Sequence, residues 1–94
     1  MAKARYYITG WVIDALRDHG GKAEMLAVAK HVWKNHETEI RKAGDLLYEW
    51  QYEVRWAAYF LRREGVMLRD GATPRGIWAL SEKAKGYKVK QIKD

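Results

Sequence analysis

The chain has 94 residues, 48% of them hydrophobic with five Trp, and a formal net charge of +6. That leaves room for one domain with one core and no more. The lack of Cys excludes a disulfide framework and a thiolate metal site, and no window approaches the ~20 apolar residues of a membrane span.

The opening "MAKARYYITG" is basic and then aromatic, without the apolar run and small-residue cleavage site of a signal peptide. A soluble, cytoplasmic protein is expected. In "YYITGWVIDALRDHGG", Ile8, Val12, Ala15, Leu16 and His19 recur at helical spacing, and Gly20-Gly21 stops the run where a C-terminal glycine belongs. Lys22-Ala23, between two helices, is short enough to be a one- or two-residue strand pairing with the hairpin that follows later in the chain. "EMLAVAKHVWKNH" aligns Met25, Val28, Ala29, Val32 and Trp33 as a second helix, and "ETEIRKAGD" reads as a separate polar helical turn ending at Gly44. The strongest pattern is "LLYEWQYEVRWAAYFLRREG", where Leu47, Trp50, Val54, Ala57, Ala58 and Leu61 share one face and Gly65 closes the helix. Val66-Met67-Leu68 and Ile77-Trp78-Ala79-Leu80 then flank turn residues Asp70-Gly71 and Pro74-Arg75-Gly76, the grammar of a β-hairpin. Residues 87–94, "YKVKQIKD", read as a basic tail.

Helix, minimal strand, helix, helix, hairpin is the order of a winged helix-turn-helix. The predicted fold is therefore mainly α, three helices plus a two-stranded wing, with one domain over residues 1–86. A lone hairpin is marginal in water and must lean on the helices; Trp78 is the expected plug. Charge is uneven along the chain. Residues 1–44 carry eight Lys/Arg against five Asp/Glu, residues 45–70 four against five, and residues 71–94 six against two. A basic excess in the hairpin and tail favours a polyanionic partner, though it also serves solubility.

Arg55-Trp56-Ala57, Leu61, Gly65-Val66-Met67, Arg75-Gly76-Ile77-Trp78, Leu80 and Ser81 occur here in a set order and spacing. In these elements the sequence resembles the N-terminal winged-helix domain of Mrr-type restriction proteins, over roughly Ile8 to Gly86. The resemblance implies binding of double-stranded DNA, in a restriction or regulatory setting.

In a winged helix the third helix normally enters the major groove. The face opposite its apolar stripe carries Tyr48, Gln51, Tyr52, Arg55, Tyr59 and Arg62. Arg55 suits a bidentate contact to guanine, Gln51 to adenine, and the tyrosine hydroxyls reach for phosphates. Arg55 has a second option, pairing with the neighbouring carboxylates Glu49 and Glu53, which would also repel phosphate. At the wing, Arg69, Thr73 and Arg75 surround a projecting turn suited to a phosphate row or a minor groove. A bland alternative for Arg69 and Asp70 is a surface salt bridge. Lys83, Lys85 and Lys88 would add sequence-independent phosphate contacts, with Lys90 and Lys93 beyond them.

No catalytic constellation stands out. His31 and His36 are five apart, off the i,i+4 spacing of two ligands on one helical face, and His19 sits where it caps a helix dipole. No cofactor, metal, small-molecule ligand or membrane partner is expected. A homodimer is compatible with the sequence. The alternative to DNA binding is a protein-interaction or dimerisation module built on Tyr6, Tyr7, Trp11, Tyr52 and Tyr59.

Overall fold

The computed structural model describes residues 2–87; the expected tail lysines Lys88, Lys90 and Lys93 lie outside them. Helix α1 (Ala2–Asp18) turns Ile8, Val12, Ala15 and Leu16 inward as their spacing predicts, with Ile13 and Thr9 beside them. It stops at the glycine pair. The Gly21 N–H donates to the Leu16 carbonyl at 2.7 Å and the Gly20 N–H to that of Arg17 at 3.1 Å, the two bonds that close a helix ending on a left-handed residue. His19 Nδ1 lies 2.8 Å from the Ala15 carbonyl oxygen, which also accepts the His19 backbone N–H at 3.2 Å.

Strand β1 (Lys22–Glu24) leads directly into α2 (Met25–Lys42). The segment "ETEIRK", read from sequence as a separate turn, is instead part of this one continuous helix. The inward stripe explains the correction. It runs from Val28 and Val32 through His36 to Ile40, all spaced by four. His36 keeps its place in the stripe by stacking on Trp11, with ring centroids 4.0 Å apart and planes 8° from parallel. The charges occupy the outer side, where Arg41 Nε donates to Glu37 Oε2 at 2.7 Å.

Helix α3 (Leu46–Arg63) buries Leu46, Val54, Ala57, Ala58 and Leu61. The two small residues let the backbones of α1 and α3 approach closely, so the three helices share a single core. Trp50, expected in the buried cluster, is only half-buried. It stacks on Trp33 at 5.4 Å along the seam between α2 and α3.

The sheet contains the expected pairing of the minimal strand with the hairpin, but the ladder within the hairpin is shorter than expected. The two strands of the sheet are β1 and β2 (Ile77–Ala79), antiparallel, with Ala23 opposite Trp78. The segment Val66–Leu68, expected as the partner strand of β2, is reduced to a single bridge between Met67 and Leu80. Two further bonds hold it alongside: Leu68 N–H to the Ala79 carbonyl at 2.9 Å and Ser81 N–H to that of Val66 at 2.8 Å. The hairpin geometry survives, but its regular ladder is cut short because the chain leaves α3 by a tight turn and enters the loop at Arg69.

That turn is heavily braced. Gly65 has φ +77°, a conformation an L side chain adopts only with strain. It sends the Val66 N–H back to the Leu61 carbonyl at 2.9 Å and the Gly65 N–H to that of Arg62 at 3.1 Å. Val66 and Leu61 are both fully buried, supplying the apolar contact that accompanies this cap. After β2 the chain returns to the same place. Ser81 Oγ–H donates to the Gly65 carbonyl, and Lys83 Nζ donates to that of Glu64 at 2.7 Å. Tyr87, the first residue of the expected tail, is half-buried against the core and shows its carbonyl to Arg17, whose Nη2 also donates to the Ala84 carbonyl at 3.0 Å. Burial, and then the nearby negative charge of Glu64, push the Tyr87 hydroxyl above its ordinary pKa. No described helix is long and apolar enough to cross a membrane.

Trp78 joins the sheet to the helices, buried among their core residues. Trp78→Ala should lower stability by about 3–5 kcal/mol, as large aromatic deletions in a core do. Urea denaturation checks it; a midpoint close to wild type would contradict this packing.

Candidate nucleic-acid interface

The outer face of α3 is a row of large side chains at helical spacing. Tyr48 is 84% exposed and Tyr52 64%, followed by Arg55, Tyr59 and, at the end of the helix, Arg62. Gln51 is exposed one position before Tyr52, towards α2. Of the two carboxylates expected to oppose phosphate here, only Glu49 is exposed. Glu53 is 7% exposed and turned into the fold. Its spacing foretells this, because Glu53 falls on the inward line of Leu46 and Ala57. With Glu53 withdrawn, Arg55 forms no ion pair among the described residues.

The 69–76 loop stands beside the C-terminal end of α3. Two i→i+3 turns shape it: Ala72 N–H to the Arg69 carbonyl at 3.1 Å and Ile77 N–H to that of Pro74 at 3.0 Å. Gly76, with φ +84°, takes the third position of the second turn, where a type II geometry needs a residue of positive φ. Pro74 and Gly76 thus bracket Arg75 and expose it at the corner. Thr73, expected at a phosphate, faces inward, and its Oγ1 donates to the Ile77 carbonyl at 2.8 Å. Arg69 and Arg75 are exposed, and neither makes an ion pair among the described residues.

Arg62 is different from the other arginines of the face. Its side chain is 21% exposed, its Nε donates to the Leu68 carbonyl at 3.3 Å, and its guanidinium lies 5.8 Å from the centre of the Trp78 ring. Its Nη2 is 3.3 Å from Asp70 Oδ1. Asp70, for which a surface pair with Arg69 was the alternative reading, is paired with Arg62 instead. Local spacing offers no sign of it, since Arg62 and Asp70 belong to different elements. Between them lies a concavity of about 380 Å³ lined by Arg62, Asp70, Thr73, Arg75 and the glycines of the loop.

The expected phosphate-binding lysines have local duties. Lys83 caps the end of α3, and Lys85 pairs with Glu82 at 3.0 Å on the surface; Lys88 lies outside the described residues. Tyr6, Trp56 and Phe60 form an edge-and-stack cluster between α1 and α3, with centroids 5.3–6.2 Å apart, and Tyr7 is exposed nearby. A second, apolar concavity of about 450 Å³ follows the α2–α3 seam. Leu26, 59% exposed, borders it with Trp33, Trp50 and Gln51. Leu26 went unnoticed in the sequence because it lies off the main stripe of α2, although Leu26, Lys30 and Trp33 are spaced as a side of their own. Among the described residues no group of three or more His, Asp or Glu is arranged to hold a metal ion.

No family model matches this sequence, and no curated protein or solved structure matches it at a significant level.

The two loop-facing arginines can be told apart by stability alone. Arg62→Ala should cost about 1–2 kcal/mol through the lost carbonyl bond and the lost contact with the Trp78 ring. Arg75→Ala, which removes no internal contact, should stay within about 0.5 kcal/mol of wild type. Thermal melts of the two variants check this difference.

Proposed function

We propose that this chain is a DNA-binding domain of the winged-helix type, akin to the N-terminal domain of Mrr-type restriction proteins, which holds duplex DNA without chemistry of its own. Helix α3 enters the major groove, and the 69–76 loop acts as the wing against the sugar-phosphate backbone. The observation that carries the reading is the neighbourhood of three exposed arginines that make no ion pair among the described residues: Arg55 on the outer face of α3, Arg69 and Arg75 on the adjoining loop. Burial of Glu53 favours the same reading, since it removes a carboxylate from the face that would meet phosphates.

Division of labour follows from chemistry. Arg55 and Gln51 have the fork and amide geometries that read guanine and adenine edges, while Tyr48, Tyr52 and Tyr59 carry hydroxyls suited to phosphate oxygens. Arg75, on a turn that fixes its backbone, gives a backbone contact with little loss of loop entropy on binding. Lys83 and Lys85 contribute less than their charges suggest, since one ammonium is hydrogen-bonded and the other paired.

Titration of labelled duplexes at a series of salt concentrations tests the proposal. Affinity should fall steeply from low to physiological salt. Arg75→Ala should weaken binding to all sequences alike and flatten the log–log slope by about one unit. Arg55→Ala and Gln51→Ala should act at particular base pairs, by about 1–3 kcal/mol for a lost bidentate contact. A second reading has its own support: Tyr7, Tyr52 and Tyr59 are exposed beside the Tyr6–Trp56–Phe60 cluster, the composition of a protein-docking surface. If no duplex is bound at low salt while sedimentation shows self-association lost on Tyr52→Ser/Tyr59→Ser, that module reading replaces the first.

A further inference from the structure

The Arg62–Asp70 pair lies at the junction of the two proposed DNA-contacting elements, and its two members are held very unequally. The Arg62 guanidinium is fixed on two sides, by the Leu68 carbonyl at Nε and by the Trp78 ring at 5.8 Å. Arg62 and Arg75 both line the concavity of about 380 Å³, and Arg62 meets Asp70 there through Nη2. Asp70 has no comparable anchorage. It is 87% exposed, meets Arg62 through one contact of 3.3 Å, and sits on a turn at the rim.

We infer that Asp70 is an internal stand-in for a phosphate group, and that the cleft between Arg62 and Arg75 receives a backbone phosphodiester of duplex DNA when Asp70 gives way. The inference rests on the DNA-binding reading above and deepens it. A planar guanidinium anchored at Nε and lining a cleft can offer its Nη groups to two phosphate oxygens, whereas Asp70 supplies a single contact of 3.3 Å. An exposed ion pair of this kind contributes little to stability, so its loss opposes phosphate entry only weakly. The carboxylate nevertheless cancels one positive charge of the interface in the free protein. Asp70 thereby attenuates binding to any duplex by removing one phosphate contact from the sequence-independent part of the affinity.

Asp70→Asn is the direct test, with Glu64→Gln as a control that removes an exposed carboxylate of the same α3 end without touching Arg62. Binding is measured to one labelled duplex across a salt series, with melting curves for every variant. Asp70→Asn should tighten binding by about three- to tenfold at low salt and steepen the log–log slope by about one unit, and Glu64→Gln should do markedly less. The gain should vanish when Asp70→Asn is combined with Arg62→Gln. Should Arg62→Gln fail to fold, the comparison of Asp70→Asn with Glu64→Gln stands by itself. Equal effects of Asp70→Asn and Glu64→Gln, or a gain that persists without Arg62, overturn the inference and leave the DNA-binding reading intact. A wild-type protein that binds no duplex overturns both. Replacing chloride by inorganic phosphate at constant ionic strength separates the sources of the ligand. If Asp70→Asn strengthens the binding of inorganic phosphate but not of duplex, the cleft is a small-anion site and its assignment to DNA is wrong.

Discussion

The end of α3 is where the architecture is decided. One carbonyl, that of Leu61, accepts from both Val66 and Met67, at 2.9 and 3.2 Å, and the chain reverses at Gly65 instead of continuing along the helix axis. Everything downstream depends on that reversal. It lays Val66–Leu68 beside β2, sets the 69–76 loop next to the last turn of α3, and exposes the carbonyls of Glu64 and Gly65 to the partners that return after β2, Lys83 and Ser81. Bonds from both sides of the loop thus meet at one helix terminus. That concentration of constraints gives a small domain a fixed angle between its longest exposed helix face and its most cationic loop.

The helices were largely legible in the sequence because their signals are local. Ile8 through Leu16, and Val54 through Leu61, repeat at three and four residues, and Gly20 and Gly65 stop the runs at the expected positions. The misreading of "ETEIRK" came from treating polarity as a break. An imidazole that stacks on Trp11 satisfies an inward position as well as an aliphatic side chain does, and composition alone does not reveal the stack. The two turns of the loop were legible from Pro74, Gly71 and Gly76. The pairing of the short Lys22-Ala23 strand with the hairpin was legible from its place between two helices, although "KAE" itself carries no strand pattern; the shortening of the Val66–Leu68 strand to a single bridge was not.

The candidate site divides along the same line. The exposed row of α3, from Tyr48 to Tyr59, follows from helical geometry, and Arg75 from its turn. Residues whose environment is set by other elements were misjudged: Arg62 is bound into the loop, Thr73 braces it, and Lys83 caps α3. Glu53 was the readable exception, placed by spacing on the inward line and overlooked because a carboxylate there runs against the usual preference for the surface. The reassignments of Arg62 and Lys83 tie two cationic groups to backbone carbonyls of the domain, and that of Glu53 takes a negative charge off the outer surface. On the outer face of α3 and the adjoining loop, Arg55, Arg69 and Arg75 remain exposed without an ion pair among the described residues.

The pairing of β1 with β2 joins residues far apart in the chain, Ala23 to Trp78, across the whole of α2 and α3. The helices can form from near neighbours, but this pairing must close a loop of more than half the sequence before it returns any stabilisation. During synthesis the first three helices therefore wait with the site of Trp78 open until the last quarter of the chain has left the ribosome. Sheet, tryptophan plug and helix cap all draw on residues 77–83, so one short segment near the end of the domain completes all three.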